Sequence, residues 1–374
     1  LKKTRIITAK VTAVDPERKV ATITPEVGDP WEESYDTLVV TAGAVTRTFP
    51  IPGVADVAIG MKTIEEATNV RDRVLANFDR ASNLPDGPLK RRLLTFAVIG
   101  GGFAGIETFA ELRNLVSFLV RQYPTIEFEE TSFHLVEAMG RIMPEVSLET
   151  SLWVLADLAK RGATVHLDTQ LSSAVDGKLE LSTGEVIESD LVIWTAGVMA
   201  NPAAKNFGLP LDARGRVNAQ PDLRVIDADG VVVPDTWTAG DVSAVPDLSG
   251  GGVQGYCVPN AQHAVRQGKR LAKNVVAVLR GEDPIEYQHK NLGAVAGLGL
   301  YNGVFQSGKF AMRGFLAWLA HRGYHGMAMP TWERKLRVIN EWIVNFVLRR
   351  DTVAIEAQVN PRGAFEEFAA RPKA

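Results

Sequence analysis

Residues 94–107 read LTFAVIGGGFAGIE, an apolar run that meets three glycines and then a stretch with helical spacing. The run lacks polar alternation, which describes a strand covered on both faces, as in a parallel sheet. Gly100, Gly102 and Gly105 stand at the three glycine positions of G-x-G-x-x-G. In that pattern the first glycine permits the tight turn. The second has no Cβ, so a pyrophosphate can approach the backbone, and the third lets the helix sit close to the strand. The helix start then offers free N–H groups and a positive dipole end to the phosphates. A glycine turn of this spacing can be purely structural. The strand before it and the helix after it make it a candidate nucleotide site.

Glu137 closes the next predicted strand, SFHLVE, 37 residues beyond Gly100. That exceeds the usual spacing of about 20, and the polar connection RQYPTIEFEET accounts for the excess. A carboxylate there accepts hydrogen bonds from the adenosine ribose hydroxyls and repels a 2′-phosphate, favouring NADH over NADPH. The alternative is an ordinary acid at a strand end, and Arg141 close by keeps NADP(H) open.

At 374 residues the chain is long for one core, so two domains are expected. A net charge of −3 argues against a nucleic-acid partner. Cys257 is the single cysteine, which excludes an internal disulfide, a CxxC dithiol and a cysteine-based metal cage. No apolar run approaches the roughly 18–20 residues of a spanning helix.

Alternating stretches at 5–14 and 18–24 around Asp15-Pro16-Glu17 predict a β-hairpin, and YDTLVVTAG predicts a third strand. A charged helix is expected over 63–80, followed by linker composition at 82–88. From 93 to 197 the pattern is strand, helix to about 120, strand, helix over 147–161, and strand TVHLD. A meander of LSSAV, KLELS and EVIES follows, then the closing strand DLVIWTAG. This describes a doubly wound α/β nucleotide-binding domain. Further on, GVVVPDTWTAGD predicts another strand, and a helix is expected over 259–280.

LVVTAG at 38–43, LVIWTAG at 191–197 and WTAGDV at 237–242 each end a strand in Ala-Gly. With the glycine motif between them, they resemble the two-dinucleotide-binding-domain flavoproteins, in which an NAD domain is inserted into a FAD domain. VIGGGFAGIE, WTAGDV, VPNAQHAVRQG, LGAVAGLGLYNGV and GFLAWLAHRGYH resemble, more narrowly, the type II NADH dehydrogenases, single-subunit NADH:quinone oxidoreductases. That resemblance spans residues 5–350. It implies hydride transfer from NADH to FAD and onward reduction of a quinone. It also implies that Asp241 holds the ribityl chain of FAD, and that Ala42, Gly43, Gly197 and Gly240 lie against the cofactors where the strands end. Gln262 and Ala261 would line the quinone pocket by the flavin. Glu107 would stand between nicotinamide and flavin as a positioning or proton-relay group. Read from its own position, Glu107 is equally a first-turn acid favoured by the helix dipole.

The resemblance implies two Rossmann-like domains: 1–90 with 198–285 binding FAD, and 91–197 binding NAD(H). Residues 286–374 would form a C-terminal helical appendage. The family opens with a further G-x-G-x-x-G unit for the FAD pyrophosphate, and residues 1–93 read as the back half of a FAD domain without it. Activity of the chain as given is therefore open.

In WERKLRVINEWIVNFVLRR, Trp332, Leu336, Ile339, Ile343, Phe346 and Val347 form one apolar stripe, with Arg334, Arg337, Glu341 and Arg349 away from it. This suits a helix docked on its own domain or on a second copy in a homodimer. It equally suits an interfacial helix on a membrane surface. The resemblance favours the membrane, at the cytoplasmic face of the plasma membrane. Another pyridine-nucleotide flavoprotein reductase, or a redox-inactive NAD(H)-binding fragment, are the other readings.

Overall fold

The computed structural model describes residues 3–250, 252, 254–289 and 293–348. The chain forms two compact units, one from residues 1–47 and 198–292, the other from 48–197 and 293 onward.

The second unit holds a five-stranded parallel sheet in the order Ala58–Gly60, Leu191–Trp194, Thr95–Ile99, Ser132–Val136, Ala163–His166. Alternate residues of its strands serve two different cores. Phe96, Val98, Phe133, Leu135, Leu191 and Ile193 pack with Val74, Phe78, Ile106, Phe109, Val154 and Leu158 from the helices Ile64–Ala81, Phe103–Leu119 and Leu148–Lys160. Ala97, Ile99, Val136, Val192 and Trp194 pack with Leu171, Leu179, Leu181 and Ile187 of the meander. Covering both faces explains why Thr95–Ile99 is buried at every position and shows no polar alternation. The meander, an antiparallel sheet of Leu171–Ser173, Lys178–Leu181 and Val186–Glu188, stands where a doubly wound domain would carry its second helical layer.

Two expected boundaries move. Residues 48–90 belong with this unit and not with 1–47. Ala58–Gly60 extends the parallel sheet, and Thr63 starts the following helix with a capping box in which Glu66 accepts from the Thr63 backbone N–H at 2.8 Å. The linker composition at 82–88 leads into a short helix, Pro88–Leu93. The C-terminal region is likewise no separate helical appendage. Ala294–Gly297, Gly303–Ser307 and Phe310–Arg313 form an antiparallel sheet, and Ala296, Leu298 and Val304 are buried in the core of this unit. Helices Phe315–Ala328 and Trp332–Leu348 follow. Arg349 lies outside the described residues.

The first unit contains the expected hairpin, Lys10–Asp15 with Val20–Thr24, to which Trp31–Ser34 adds a third antiparallel strand. A second sheet runs Arg224–Ile226, Val232–Thr238, Leu38–Val40, with the last pair parallel. Ala44–Thr46 pairs with Val198–Ala200. The helix Ala261–Leu279 packs Leu271 against Leu223, Trp237 and Val245.

Candidate functional site

Gly100 follows the Thr95–Ile99 strand at φ 112° and donates its N–H to the Val136 carbonyl at 2.8 Å. A Cβ there would lie 2.7 Å from the Thr195 carbonyl oxygen. A Cβ on Gly105 would collide with the Gly100 carbonyl oxygen and with the Thr195 hydroxyl. Those two glycines are required by packing alone. Gly102 differs: its φ of −71° suits any residue, and nothing of the protein lies within 4 Å of a Cβ built on it. It caps the helix Phe103–Leu119 without a side-chain hydrogen bond, so the first-turn N–H groups have no side-chain cap acceptor. This is an open approach to uncapped donors at the positive end of a 17-residue helix. The turn therefore fits a dinucleotide pyrophosphate.

Glu137 stands beside the turn, 8% exposed. One carboxylate oxygen accepts from the Gly101 N–H at 2.5 Å and the other from the Met139 N–H at 2.8 Å. The side chain is thus fixed by the glycine turn itself. A carboxylate has room for about four acceptor bonds, so capacity remains for ribose hydroxyls. Thr195, which sequence reasoning passed over, braces the turn from behind. Its hydroxyl lies 2.9 Å from the Ile99 carbonyl oxygen and 3.0 Å from that of Gly100. The signal was present in the WTAG stretch, one residue before Ala196 and two before Gly197. Gly197 has φ 110° and open space where a Cβ would be.

Glu107 lies in the same helix, two residues past Gly105. It accepts from the Gly297 backbone N–H at 2.8 Å, and His321 Nε2 lies 3.1 Å from the same oxygen. His321 stacks edge-on against His325 at 4.5 Å between centroids. Burial, then the neighbouring His321, holds His325 below the ordinary histidine value.

In the first unit Gly240 lies two residues past the Val232–Thr238 strand; its φ is 80° and its N–H donates to the buried Gln267 side chain at 2.8 Å. Asp241 then lines a small cleft with Ser243, Pro259, His263 and Gln267. The cleft adjoins the start of the Ala261–Leu279 helix, where the Asn260 side chain accepts from the His263 N–H at 2.9 Å. Ala261 is exposed and Gln262 half-buried in this first turn. Ala42 and Gly43 end the neighbouring Leu38–Val40 strand; their carbonyls accept from the Asn201 side-chain amide and backbone N–H, each at 3.0 Å. An acceptor carboxylate and a helix N-terminus bordering one cleft suit the hydroxyls and ring carbonyls at the ribityl and flavin end of FAD. Cys257 borders this cleft with its thiol pushed up to about 11, chiefly by burial and next by Asp247, so it is a neutral, unreactive group at physiological pH. His263 bonds Tyr287 at 2.9 Å and lines the same cleft.

Residues 2–268 match the family model described as pyridine nucleotide-disulphide oxidoreductase. The type II NADH:quinone oxidoreductase NdhA of Mycobacterium tuberculosis is 31% identical over 376 residues, covering 96% of this chain and 76% of the relative. A probable NADH dehydrogenase of Dictyostelium discoideum is 28% identical over 354 residues, covering 93% and 76%. The solved structure of NDH2 from Plasmodium falciparum in complex with NADH overlays with a TM-score of 0.83 at 17% identity, covering 93% of this chain and 85% of that one. This last likeness is one of fold.

Proposed function

The chain belongs to the pyridine nucleotide-disulphide oxidoreductases, and among them to the type II NADH:quinone oxidoreductases; on that premise we propose which of its residues carry the reaction. The enzyme takes electrons from NADH through FAD to a quinone. FAD supplies the hydride acceptor and the route for electrons onward. The protein's own task is to bind, orient and exclude water.

The open face of Gly102 and the uncapped turn after it receive the NADH pyrophosphate, and Glu137 accepts from the adenosine ribose. Asp241 accepts from the ribityl hydroxyls of FAD, with Gly240, Ala42 and Gly43 shaping the strand ends against the cofactor. Ala261 and Gln262 border the acceptor's approach. Glu107, held by Gly297 and His321, positions the nicotinamide. The single observation supporting this most is the contrast within one motif: two glycines are demanded by packing, while Gly102 answers to nothing in the protein.

The membrane surface is where the acceptor is met. Trp332–Leu348 has no buried residue, and Trp332, Leu336, Phe346 and Val347 are each more than half exposed. Phe315, Leu316, Leu319 and Met327 of the preceding helix are exposed as well. An apolar area of this kind marks an interaction surface. Arg334, Lys335 and Arg337 on the same helix suit anionic headgroups. Among the described residues no helix is long and apolar enough to cross a membrane. The contact proposed is interfacial, at the cytoplasmic face of the plasma membrane. A second copy of the chain is the competing occupant of this face.

Purified protein supplied with FAD, NADH and a short-chain quinone should oxidise NADH, read at 340 nm, only when quinone is present. NADH binding without quinone-dependent turnover would instead identify a redox-inactive binder.

A further inference from the structure

His134 and His166 stand on adjacent parallel strands, with His134 paired to Thr164 and Val136 to His166. Both side chains therefore emerge on the face that the meander covers. Their rings stack at 5.4 Å with 19° between planes, and His134 Nδ1 lies 3.1 Å from His166 Nε2. The outer nitrogen of each ring meets an oxygen. His134 Nε2 is 2.9 Å from Ser132 Oγ, and His166 Nδ1 is 3.5 Å from a carboxylate oxygen of Glu185 in the meander turn. One candidate ligand atom from each of His134, His166 and Glu185 can be chosen so that all three lie within 4.8 Å of one another.

His134 is oriented as metal-ligating histidines are: its far nitrogen, Nε2, donates to Ser132 Oγ, so Nδ1 presents its lone pair. Two imidazole nitrogens sharing a tetrahedral zinc ion stand about 3.3 Å apart, given zinc–nitrogen distances of about 2.0–2.1 Å. The separation found here is close to that. Beside the pair opens a cavity of about 270 Å³ lined in part by Arg91, Arg92, His134 and Glu185. It offers an entry path and space for water ligands.

We propose that His134, His166 and Glu185 bind a divalent transition-metal ion of the zinc class, with cavity water completing the coordination shell. The ion fastens the meander turn to two strands of the parallel sheet. This site is separate from the redox reading and stands or falls independently of it. The competing arrangement is a closed hydrogen-bonded chain, Ser132 to His134 to His166 to Glu185, with no metal.

Titration calorimetry with zinc chloride on the chelator-stripped, FAD-loaded full chain decides between them. One saturable site per chain is expected, together with a rise in melting temperature. His134→Gln and His166→Gln should abolish that site, and Glu185→Gln should weaken it at least about tenfold. Glu185 is half exposed, so its variant tests the site even if a histidine variant folds poorly. Absence of one-to-one binding up to millimolar zinc would overturn the proposal. So would binding undiminished in the Glu185 and His134 variants, which would place the ion at the other histidines.

Discussion

Glu107 and Gly297, 190 positions apart in sequence, meet in a 2.8 Å hydrogen bond from backbone N–H to carboxylate. It ties the helix after the glycine motif to the C-terminal sheet, and Glu107, expected as a first-turn acid, lies past the first turn of Phe103–Leu119. Glutamine keeps an acceptor oxygen there and alanine keeps none. Glu107→Gln should retain the melting temperature within about 2 °C, while Glu107→Ala loses about 1 kcal/mol, a partly exposed charge-assisted bond. If the carboxylate's charge positions nicotinamide, kcat falls at least about tenfold in both variants. Turnover that survives in the glutamine variant would assign Glu107 to structure alone.

The glycine motif separates packing from binding. Gly105→Ala drives a methyl into the Gly100 carbonyl and should cost about 1–3 kcal/mol or more, seen as a lower melting temperature. Gly102→Ala meets open space, so its stability should stay within about 0.5 kcal/mol of the parent, while KM for NADH rises about tenfold. Equal KM values for Gly102→Ala and the parent would remove the pyrophosphate from this turn.

On the proposed assignment, the Glu137 carboxylate stands where a 2′-phosphate would lie. The parent enzyme should favour NADH over NADPH by at least about tenfold in kcat/KM, an effect of about 1.4 kcal/mol. Glu137→Gln should narrow that ratio. It should also loosen the turn, because the Gly101 and Met139 N–H groups would lose an ionised acceptor. NADPH used as readily as NADH by the parent would contradict the assignment.

Ile343→Glu with Phe346→Glu breaks the exposed apolar stripe without touching a buried side chain. The parent should co-sediment with vesicles containing anionic lipid, and the double variant should largely remain in the supernatant. A parent that ignores vesicles and instead forms a dimer disrupted by these substitutions would assign the face to a second copy.

His263, His289 and His325 are each held below the ordinary value of 6.5, in every case chiefly by burial. In the unfolded chain they take up protons as pH falls through 6.5, whereas the native chain resists. The unfolded state then binds more protons, so stability is full above that pH and declines below it. Thermal melts should be level from about pH 8 to 7 and fall progressively below about pH 6.5. A flat profile down to about pH 5.5 would show that these rings titrate normally in the native state.

Much of the parallel sheet was legible in advance because its signals are local. Thr95–Ile99, Phe103–Leu119, Ser132–Val136 and the meander strands fall close to where apolar runs, alternation and glycines placed them. Residues 48–90 were placed with the other unit because nothing local marks a three-residue edge strand; Ala58–Gly60 exists by pairing with Leu191–Trp194, more than 130 positions away. The C-terminal sheet was missed for a similar reason, since its glycines and small apolar residues acquire meaning only against the Phe103–Leu119 helix. Among the candidate site residues, Gly100, Gly102, Gly105 and Glu137 announce themselves by spacing. Thr195 and Gln267 do not, since each acts on a backbone group of a distant turn.

Whatever depends on a few consecutive residues was already set in the primary structure: the strand–turn–helix, the capping box at Thr63, the amphipathic stripe from Trp332. Periodicity, missing Cβ atoms and cap side chains act over one or two turns of chain. Folding alone decided which distant groups meet, as in the Glu137 carboxylate on the Gly101 N–H, Glu107 on Gly297, and His134 against His166. Such pairs form where separately specified elements pack, and a linear pattern carries no term for that distance.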